Sequence, residues 1–204
     1  MDAVIIIGHD IDLKSYDYTN KYVIGVDEGA LIAINNGIHL DVAVGDFDSV
    51  NEAQYSLITN GTNTIKLNPI KDETDTYKAL MLCKDAPKIT ILGGIQGKRI
   101  EHFIANIIMM KNDSRIEMID NNSYMFIKNK SFNLTKDKYK FISFFAIEEV
   151  MDLNLSGFKY NLKNYNLKTN DPLTISNELI EETGQIRFKE GKILVIKSLL
   201  DKKV

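Results

Sequence analysis

Apolar residues follow two different patterns along this chain of 204 residues. Up to about residue 120, short segments that are almost continuously apolar alternate with longer segments that repeat apolar residues at helical spacing. Continuous apolar runs are typical of strands buried on both faces of a sheet, and their alternation with helices favours parallel pairing. The predicted strands cover 3–8, 22–26, 42–45, 64–67, 88–93 and 115–119, and the predicted helices cover 30–36, 51–60, 74–84 and 100–111.

The helical pattern fades after about residue 121, and short β-rich segments separated by turn residues follow. This pattern predicts an antiparallel sandwich or barrel. The predicted fold class is therefore α/β, with a mostly parallel, Rossmann-like sheet flanked by helices over 1–121 and an all-β sandwich domain over 122–204. The predicted strands of the second domain cover 123–128, 131–135, 139–147, 151–160, 164–168, 173–178, 184–189 and 192–200.

Charge and composition narrow the range of partners. The chain has 25 Lys and Arg against 28 Asp and Glu, so its net charge of −3 provides no general attraction to nucleic acid or to anionic lipid. No apolar run has the length of a bilayer span, and the single cysteine, Cys83, allows no internal disulfide. We expect a cytoplasmic protein with no nucleic-acid or membrane partner and with Cys83 buried in a helix.

Candidate chemistry lies at the predicted strand ends, because ligands of open α/β sheets bind beyond the carboxyl ends of the strands. Acidic residues follow three of these strands, and a glycine-rich turn with two cations follows a fourth. These segments are Asp27–Ala30, Asp46–Ser49, Asn68–Asp75 and Gly93–Arg99.

Asp46 and Asp48 flank a single residue, Phe47. In an extended backbone, residues two apart point to the same face, so both carboxylates would be placed to share a hard cation such as Mg²⁺. Phe47 would then point to the other face and serve packing. The alternative is a simple turn in which Ser49 caps the following helix. The motif alone leaves both interpretations open.

A second acidic turn contains Asp72, Thr74 and Asp75 at the start of a predicted helix. Asp72 or Thr74 would make a good helix N-cap, and early acidic residues suit the helix dipole. Crowding these acids beside the first acidic turn, however, costs stability unless a cation neutralises them.

The turn GGIQGKRIEH, residues 93–102, joins a predicted strand to a predicted helix, so its backbone N–H groups are placed to bind phosphate. Its glycine spacing is not that of a P-loop. Arg99, His102 and Asn106 share one predicted helical face, which suits either a phosphate site or a solvated surface. The helix's apolar residues are predicted on another face; they are Ile100, Ile104, Ile107 and Ile108.

Taken together and in order, these motifs resemble the thiamine pyrophosphokinase family. The motifs are D-x-G-A from Asp27, G-D-F-D-S from Gly45, K-D-x-T-D from Lys71 and G-G-x-x-G-x-R-x-x-H-x-x-x-N from Gly93. The segments GFKYNL (157–162), ISNE (175–178) and EGKILVI (190–196) agree with that family's β domain.

The resemblance implies an enzyme in which the hydroxyethyl oxygen of thiamine attacks the β-phosphorus of ATP, giving thiamine diphosphate and AMP. It implies an α/β catalytic domain, 1–121, that binds ATP and Mg²⁺, and a β domain, 122–204, that contributes to thiamine binding and dimer contact. The family is homodimeric, with thiamine bound between the catalytic domain of one subunit and the β domain of the other.

The resemblance also assigns roles to residues. Mg²⁺ would be held by Asp46, Asp48 and Asp75, and the catalytic set would add Asp72, Thr74 and Arg99. Thiamine would be bound by Ser176 and Asn177. The residues expected at or near the ATP phosphates are Asp27, Gly93, Gly94, Gly97, Lys98, Arg99 and His102.

Two departures from the family pattern stand out. Glu101 replaces the family's usual Asp, and on a regular helix it is predicted to point away from Arg99 and His102. The chain has no Trp, so any aromatic contact with thiamine must come from Tyr or Phe. Tyr160 and Phe158 are nearby, with Phe158 expected in the core.

Two alternatives to thiamine pyrophosphokinase remain. One is a pyrophosphokinase that acts on another heterocyclic alcohol, such as a pterin. The other is a non-catalytic sensor that binds nucleotide or thiamine. A sensor would not need both acidic turns, which favours the enzyme.

Overall fold

The computed structural model describes residues 1–8, 11–68, 74–96 and 99–199. It divides into two compact units. The first comprises Met1–Met109 and Arg115–Asn121, and the second comprises Met110–Ser114 and Asn122–Val204.

The first unit contains a sheet in which every neighbouring pair of strands is parallel, in the order β4-β3-β2-β1-β5-β6. Strands β2 and β5 flank β1, so the strand order reverses at β1, which is where open α/β sheets form their ligand crevice. The strands are β1 (Asp2–Ile6), β2 (Lys21–Val26), β3 (Val42–Gly45), β4 (Thr64–Lys66), β5 (Ile89–Leu92) and β6 (Ile116–Ile119). The helices are α1 (Glu28–Asn35), α2 (Glu52–Gly61), α3 (Asp75–Leu82) and α4 (Ile100–Asn112).

The central strands are buried as their apolar runs predict. All residues of β3 and of β5 are buried, and α1 covers the sheet with Ala30, Leu31 and Ala33. Cys83 is also buried, and burial raises the pKa of its thiol to about 11, as expected of a small core side chain.

The cap of α2 differs from the alternative interpretation of the Asp46–Asp48 segment, in which Ser49 caps this helix. Asn51, and not Ser49, is its N-cap, and its side chain accepts a hydrogen bond from the backbone N–H of Gln54. The Gln54 side chain in turn accepts from the Asn51 backbone N–H, which completes a capping box. Ser49 therefore has no part in this cap.

Every strand pair within the second unit is antiparallel. Strand β9 is 16 residues long; it pairs with β12 over most of its length and with β10 and β11 near its end. Apolar residues of all the strands form one core cluster that includes Phe144 and Phe158. The strands are β7 (Ser123–Lys128), β8 (Phe132–Thr135), β9 (Phe141–Ser156), β10 (Leu162–Leu167), β11 (Thr183–Arg187) and β12 (Glu190–Ser198).

Two strand predictions in this unit are wrong. Segments 139–147 and 151–160 were predicted as two strands but lie mainly in one, β9. Glu148 and Glu149 interrupt the apolar pattern, but they are exposed residues within the strand and do not end its pairing. Segment 173–178 is not a strand; a single bridge joins Asn177 to Ile142.

Over the two units the strand pairing is mixed, parallel in the first and antiparallel in the second, and the α/β class is confirmed at this level. The narrower descriptions, Rossmann-like and β sandwich, stay predictions. Within the described ranges, no helix is both long and apolar enough to span a bilayer.

Candidate active site

Asp27 lies between the end of β2 and the start of α1 in an unusual backbone conformation. Its φ is 46° and its ψ is −122°, a combination that non-glycine residues rarely adopt. Its backbone N–H donates to the Val44 carbonyl at 3.0 Å, and its side-chain Oδ1 accepts from the Phe47 backbone N–H at 3.3 Å. These contacts to the end of β3 and the following loop fix the carboxylate at the strand ends.

The surroundings of Asp27 disfavour the charged form of its carboxylate. Burial, followed by the repulsion and hydrogen bonding of Asp75, raises the pKa of Asp27 to about 7, and Asp46 adds to the rise. The Phe47 N–H opposes this shift by stabilising the charged form. Asp75 and Asp46 are therefore both close enough to Asp27 to disfavour its charge, and we call these three residues the acidic cluster.

Gly45, the last residue of β3, packs against the acidic cluster. A Cβ at this position would lie 1.8 Å from Asp27 Oδ1, far inside the contact distance of two atoms. The close approach of β3 to Asp27 therefore requires glycine.

The segment after β3 is not extended as predicted. Phe47 has a φ of 58°, and the Asp48 backbone N–H donates to Asp46 Oδ1 at 3.1 Å, so the chain makes a tight Asx turn. Phe47 is buried with its ring 5.4 Å from that of Tyr55, which confirms its packing role. Asp46 is partly buried, whereas Asp48 is exposed.

The second acidic turn supplies the N-cap of α3. Thr74 Oγ1 accepts a hydrogen bond from the Tyr77 backbone N–H at 3.1 Å, and Asp75 is the first helical residue. The helix start thus aims Asp75 at Asp27. Asp72 lies outside the described residues. Catalytic roles for Asp72 and Thr74 stay predictions.

Gly93 and Gly94, which we call the glycine turn, follow β5 directly. Both have positive φ, of 85° and 77°, and a Cβ on Gly93 would lie 2.9 Å from the Gly8 Cα at the end of β1. Glycine allows this backbone contact and leaves the turn without side chains, as a phosphate site requires. Gly97 and Lys98 lie outside the described residues.

Arg99 and Glu101 form an ion pair that the helical geometry did not predict. Arg99 Nε donates to Glu101 Oε1 at 2.6 Å, and both side chains are exposed. The prediction that Glu101 points away from Arg99 assumed that both residues are helical. Arg99 precedes α4, so the direction of its side chain does not follow helical geometry. The hydrogen bond from Arg99 lowers the pKa of Glu101. His102 is exposed one residue further on.

The polar and apolar faces predicted for α4 differ in their surroundings. Asn106 is 3% exposed, and its Nδ2 would lie 3.5 Å from a Cβ placed on Gly94, so this side chain lies against the glycine turn instead of facing solvent with Arg99 and His102. Ile100, Ile104 and Ile108 are more than half exposed. Of the two environments left open for the polar face, the position of Asn106 beside the glycine turn favours the phosphate site.

Ser176 and Asn177, the predicted thiamine residues, lie in the second unit with different exposures. Ser176 is exposed with a φ of 55°, and its backbone N–H donates to Ser143 Oγ at 3.0 Å. Asn177 is buried, and its carboxamide is hydrogen bonded to the backbone of Tyr160. Thiamine binding by either residue stays a prediction.

The donor set of the acidic cluster fits a hard divalent cation, because the negative charges of Asp75 and Asp46 raise the pKa of Asp27, and a cation beside these carboxylates would stabilise the charged form of Asp27. Among the described residues, no three His, Cys, Asp or Glu side chains already stand in a ligand arrangement. The assignment of Asp46, Asp48 and Asp75 to Mg²⁺ therefore stays a prediction.

Comparison with known proteins decides the family. Residues 13–119 match the family "Thiamin pyrophosphokinase, catalytic domain", and residues 130–193 match "Thiamin pyrophosphokinase, vitamin B1 binding domain". A thiamine pyrophosphokinase of Bacillus subtilis (strain 168) is 34% identical over 197 residues, which cover 92% of each chain. The chain belongs to the thiamin pyrophosphokinase family.

Solved structures agree with this membership. The crystal structure of thiamine pyrophosphokinase from Bacillus subtilis matches with a TM-score of 0.87 and 31% identity, covering 98% of this chain and all of that one. The thiamin pyrophosphokinase from Geobacillus thermodenitrificans matches with a TM-score of 0.88 and 28% identity over the whole of both chains. This member of the thiamin pyrophosphokinase family is therefore a pyrophosphotransferase, as the resemblance implied.

One feature of the site was not predicted from the sequence. Asp27 was expected near the phosphates but not at the centre of the acidic cluster. The glycine on each side of Asp27, at Gly25 and Gly29, was an available signal, since both approach neighbouring main chain or Ala30 too closely for any side chain.

Proposed function

We propose that this enzyme transfers the pyrophosphoryl group of ATP to the hydroxyethyl oxygen of thiamine, with Mg²⁺, to give thiamine diphosphate and AMP. The observation that carries the proposal is the acidic cluster beside the strand ends of a family member. Carboxylates this close together suit a metal-bound triphosphate better than they suit a neutral ligand.

The residues that would hold Mg²⁺ are Asp46, Asp48 and Asp75, with Asp27 in contact with Asp75. When bound, the cation would neutralise negative charge on the triphosphate and help to orient it. Asp27 is well placed to support this set, because its strained backbone and the Phe47 N–H hold its carboxylate in one position.

The glycine turn would bind the phosphate oxygens through its backbone N–H groups, with Asn106 lying against it. Arg99 is the best charged donor, since its guanidinium forms paired hydrogen bonds with phosphate oxygens. In the structure it is paired with Glu101, so binding of the triphosphate exchanges one anionic partner for another. Pyrophosphoryl transfer consists mainly of such positioning and charge neutralisation.

The second unit would form a β sandwich that contributes thiamine contacts, with Ser176 and Asn177 near the substrate. We propose a homodimer in which each thiamine site combines the first unit of one subunit with the second unit of the other. The exposed isoleucines of α4 provide apolar surface of the kind that subunit contacts cover. We place the enzyme in the cytoplasm, where ATP is available.

The nucleotide product tests the reaction. Purified protein is incubated with ATP, MgCl₂ and thiamine, and the nucleotides are separated by chromatography. We expect AMP and thiamine diphosphate in equal amounts, and no AMP when thiamine is omitted. ADP as the main product would contradict pyrophosphoryl transfer, and faster AMP formation with a pterin alcohol would contradict the choice of thiamine.

A further inference from the structure

The loop that follows β3 is closed by a contact between two aromatic rings. Phe47 is 5% exposed, and its ring centroid lies 5.4 Å from that of Tyr55, with the two planes tilted by 53°. This separation falls within the range of roughly 4.5–7 Å in which aromatic pairs attract each other. Tyr55 is the fourth residue of α2 and packs, partly buried, against the same core cluster as Phe47. The start of α2 is therefore attached to the loop through side chains.

Phe47 needs such an anchor, because its backbone is strained. Its φ of 58° lies in the left-handed region, which bulky residues rarely adopt. Its N–H donates to Asp27 Oδ1 at 3.3 Å, and its carbonyl accepts from the Val50 N–H at 3.3 Å. Both hydrogen bonds are longer than the usual length of about 2.9–3.0 Å. Burial of the ring is therefore the main contribution that keeps Phe47 in this conformation.

The conformation of Phe47 sets the relative position of the two carboxylates beside it. Asp46 and Asp48 are its neighbours along the chain, and the Asp48 N–H donates to Asp46 Oδ1 at 3.1 Å while Phe47 is left-handed. Rotation of Phe47 to the more common extended conformation would turn Asp48 relative to Asp46 and break this contact. The two carboxylates are thus only as well fixed as the Phe47 ring.

A lysine of the neighbouring strand contacts the Tyr55 ring in turn. Lys66, the last residue of β4, pairs with Gly45 of β3, and its Nζ lies over the Tyr55 ring at 5.1 Å from the centroid. A cation within about 6 Å of a ring centroid is attracted to the face of the ring. Tyr55 therefore contacts both the loop after β3 and the end of β4, which favours one orientation of its ring.

We propose that Tyr55 is a positioning residue that holds Phe47 in its left-handed conformation and thereby fixes Asp46 and Asp48 for Mg²⁺. This inference rests on the proposed function, in which both carboxylates bind the cation. Tyr55 lies outside the motifs on which the family resemblance rests. The ring alone carries the role, because the contacts with Phe47 and Lys66 are made to the ring and not to the hydroxyl.

Binding of Mn²⁺ tests the proposal without turnover. Mn²⁺ takes the same oxygen ligands as Mg²⁺, and its unbound fraction is measured by electron paramagnetic resonance. Tyr55→Leu should weaken Mn²⁺ binding about three- to tenfold, which corresponds to the loss of one aromatic pair, and Tyr55→Phe should restore the affinity. Leu57→Ala is the matched control that should leave the affinity unchanged, because Leu57 is an exposed apolar residue of the same helix. Unchanged Mn²⁺ affinity in Tyr55→Leu would overturn the proposal.

The Mg²⁺ dependence of activity gives a second measurement. In Tyr55→Leu, the Mg²⁺ concentration at half-maximal activity should rise by the same factor as the Mn²⁺ dissociation constant. The KM for thiamine should stay unchanged, because the substitution does not alter the second unit. A loss of folded protein alone would lower activity equally at every Mg²⁺ concentration, and that result would overturn the positioning role.

A double-mutant cycle tests whether Tyr55 acts through Phe47. Phe47→Leu should also weaken Mn²⁺ binding, but adding Tyr55→Leu should give little further loss, because its effect passes through the missing ring. Losses that multiply would show that Tyr55 acts by another route and would overturn the positioning of Phe47. Should Phe47→Leu fail to fold, Phe47→Met replaces it in the cycle.

The two measurements separate this inference from the proposed function. Wild-type protein that binds Mn²⁺ but forms no AMP would contradict the proposed reaction alone, since the Mn²⁺ affinities still test Tyr55. Wild-type protein that forms AMP, combined with unaltered Mn²⁺ affinity and Mg²⁺ dependence in Tyr55→Leu, would overturn the inference alone. Wild-type protein that neither binds Mn²⁺ nor needs Mg²⁺ would overturn both.

Discussion

Asp27 combines unfavourable backbone geometry with unfavourable charge. A non-glycine residue at its φ and ψ costs of order 1–3 kcal/mol, and its carboxylate is in addition partly buried against Asp75. Such costs persist only where the surrounding structure overdetermines the conformation. Here the hydrogen bonds of Asp27 with the Phe47 N–H and the Val44 carbonyl fix this conformation. They hold the Asp27 carboxylate at the strand ends in spite of the strain.

The contact between Gly45 and Asp27 gives a direct mutational test. Gly45→Ala would place a methyl group 1.8 Å from Asp27 Oδ1, so the carboxylate must move. A displacement of about 1 Å at a reacting site costs roughly 10²-fold in rate, and we expect kcat to fall by about this factor. Gly61→Ala is the control, because a Cβ there meets nothing within 4 Å, and it should leave kcat unchanged. Near-normal kcat in Gly45→Ala would remove Asp27 from the reaction.

The raised pKa of Asp27 predicts how stability depends on pH when no divalent cation is present. The pKa of Asp27 is about 7 in the folded protein, whereas in the unfolded chain it is near the ordinary aspartate value of 3.8. The folded state therefore binds more protons between these values, and this group's contribution to stability is lost as the pH rises towards 7. Thermal unfolding in EDTA should show a larger decline in Tm from pH 5 to pH 8 for wild type than for Asp27→Asn.

Added MgCl₂ should counteract this loss, because a cation stabilises the charged carboxylates. We expect MgCl₂ to raise the Tm of the wild type more at pH 8 than at pH 5. Equal Tm gains at both pH values, or the same gain in Asp27→Asn, would contradict metal binding at the acidic cluster.

At the scale of elements, local patterns predicted the parallel strands well and the loops poorly. Continuous apolar runs located β1, β3 and β5 to within about two residues, because burial on both faces leaves no other composition. Spacing could not reveal the left-handed backbone of Phe47 or the burial of Asn106, since both depend on tertiary contacts. Strand β9 was divided because an exposed pair of glutamates in the middle of a strand looks like a turn.

Thr74 offers a test at the scale of one helix. As the N-cap of α3 it should contribute about 1 kcal/mol to the free energy of unfolding, so Thr74→Ala should lose that amount in denaturant unfolding. We expect kcat to fall as well, because the helix start fixes Asp75. Asn51→Ala removes the equivalent cap of α2 and should cost similar stability without lowering kcat. Thr74→Ser should recover both properties, and kcat unaffected by Thr74→Ala would exclude Thr74 from the site.

At the scale of the whole molecule, the two units carry different parts of the proposed site. The acidic cluster and the glycine turn belong to the first unit, and the predicted thiamine residues Ser176 and Asn177 belong to the second. The sequence suggested this division in two ways. The alternation of strand and helix patterns gives way to β-rich segments near residue 121, and the family resemblance covers nearly the whole chain. The proposed dimer rests on the family resemblance alone, because an interface has no periodicity of its own that a sequence pattern could reveal.

Mixing two impaired variants tests whether a site combines two subunits. Asp48→Asn impairs the first unit, and Ser176→Ala with Asn177→Ala impairs the proposed thiamine contacts of the second. If each site combines units from different subunits, a mixed dimer contains one intact site, and random exchange should restore roughly a quarter of wild-type activity at low thiamine. Activity equal to the sum of the separate variants would place each site within one subunit.

The backbone of Asp27 also bears on how this enzyme can evolve. Glycine adopts its φ and ψ without cost and carries no charge, so Asp27→Gly would relieve both strain and repulsion. Selection for folding stability alone would favour this substitution, whereas selection for catalytic activity would retain Asp27. Asp27 is therefore a position where selection for durability and selection for chemistry favour different amino acids.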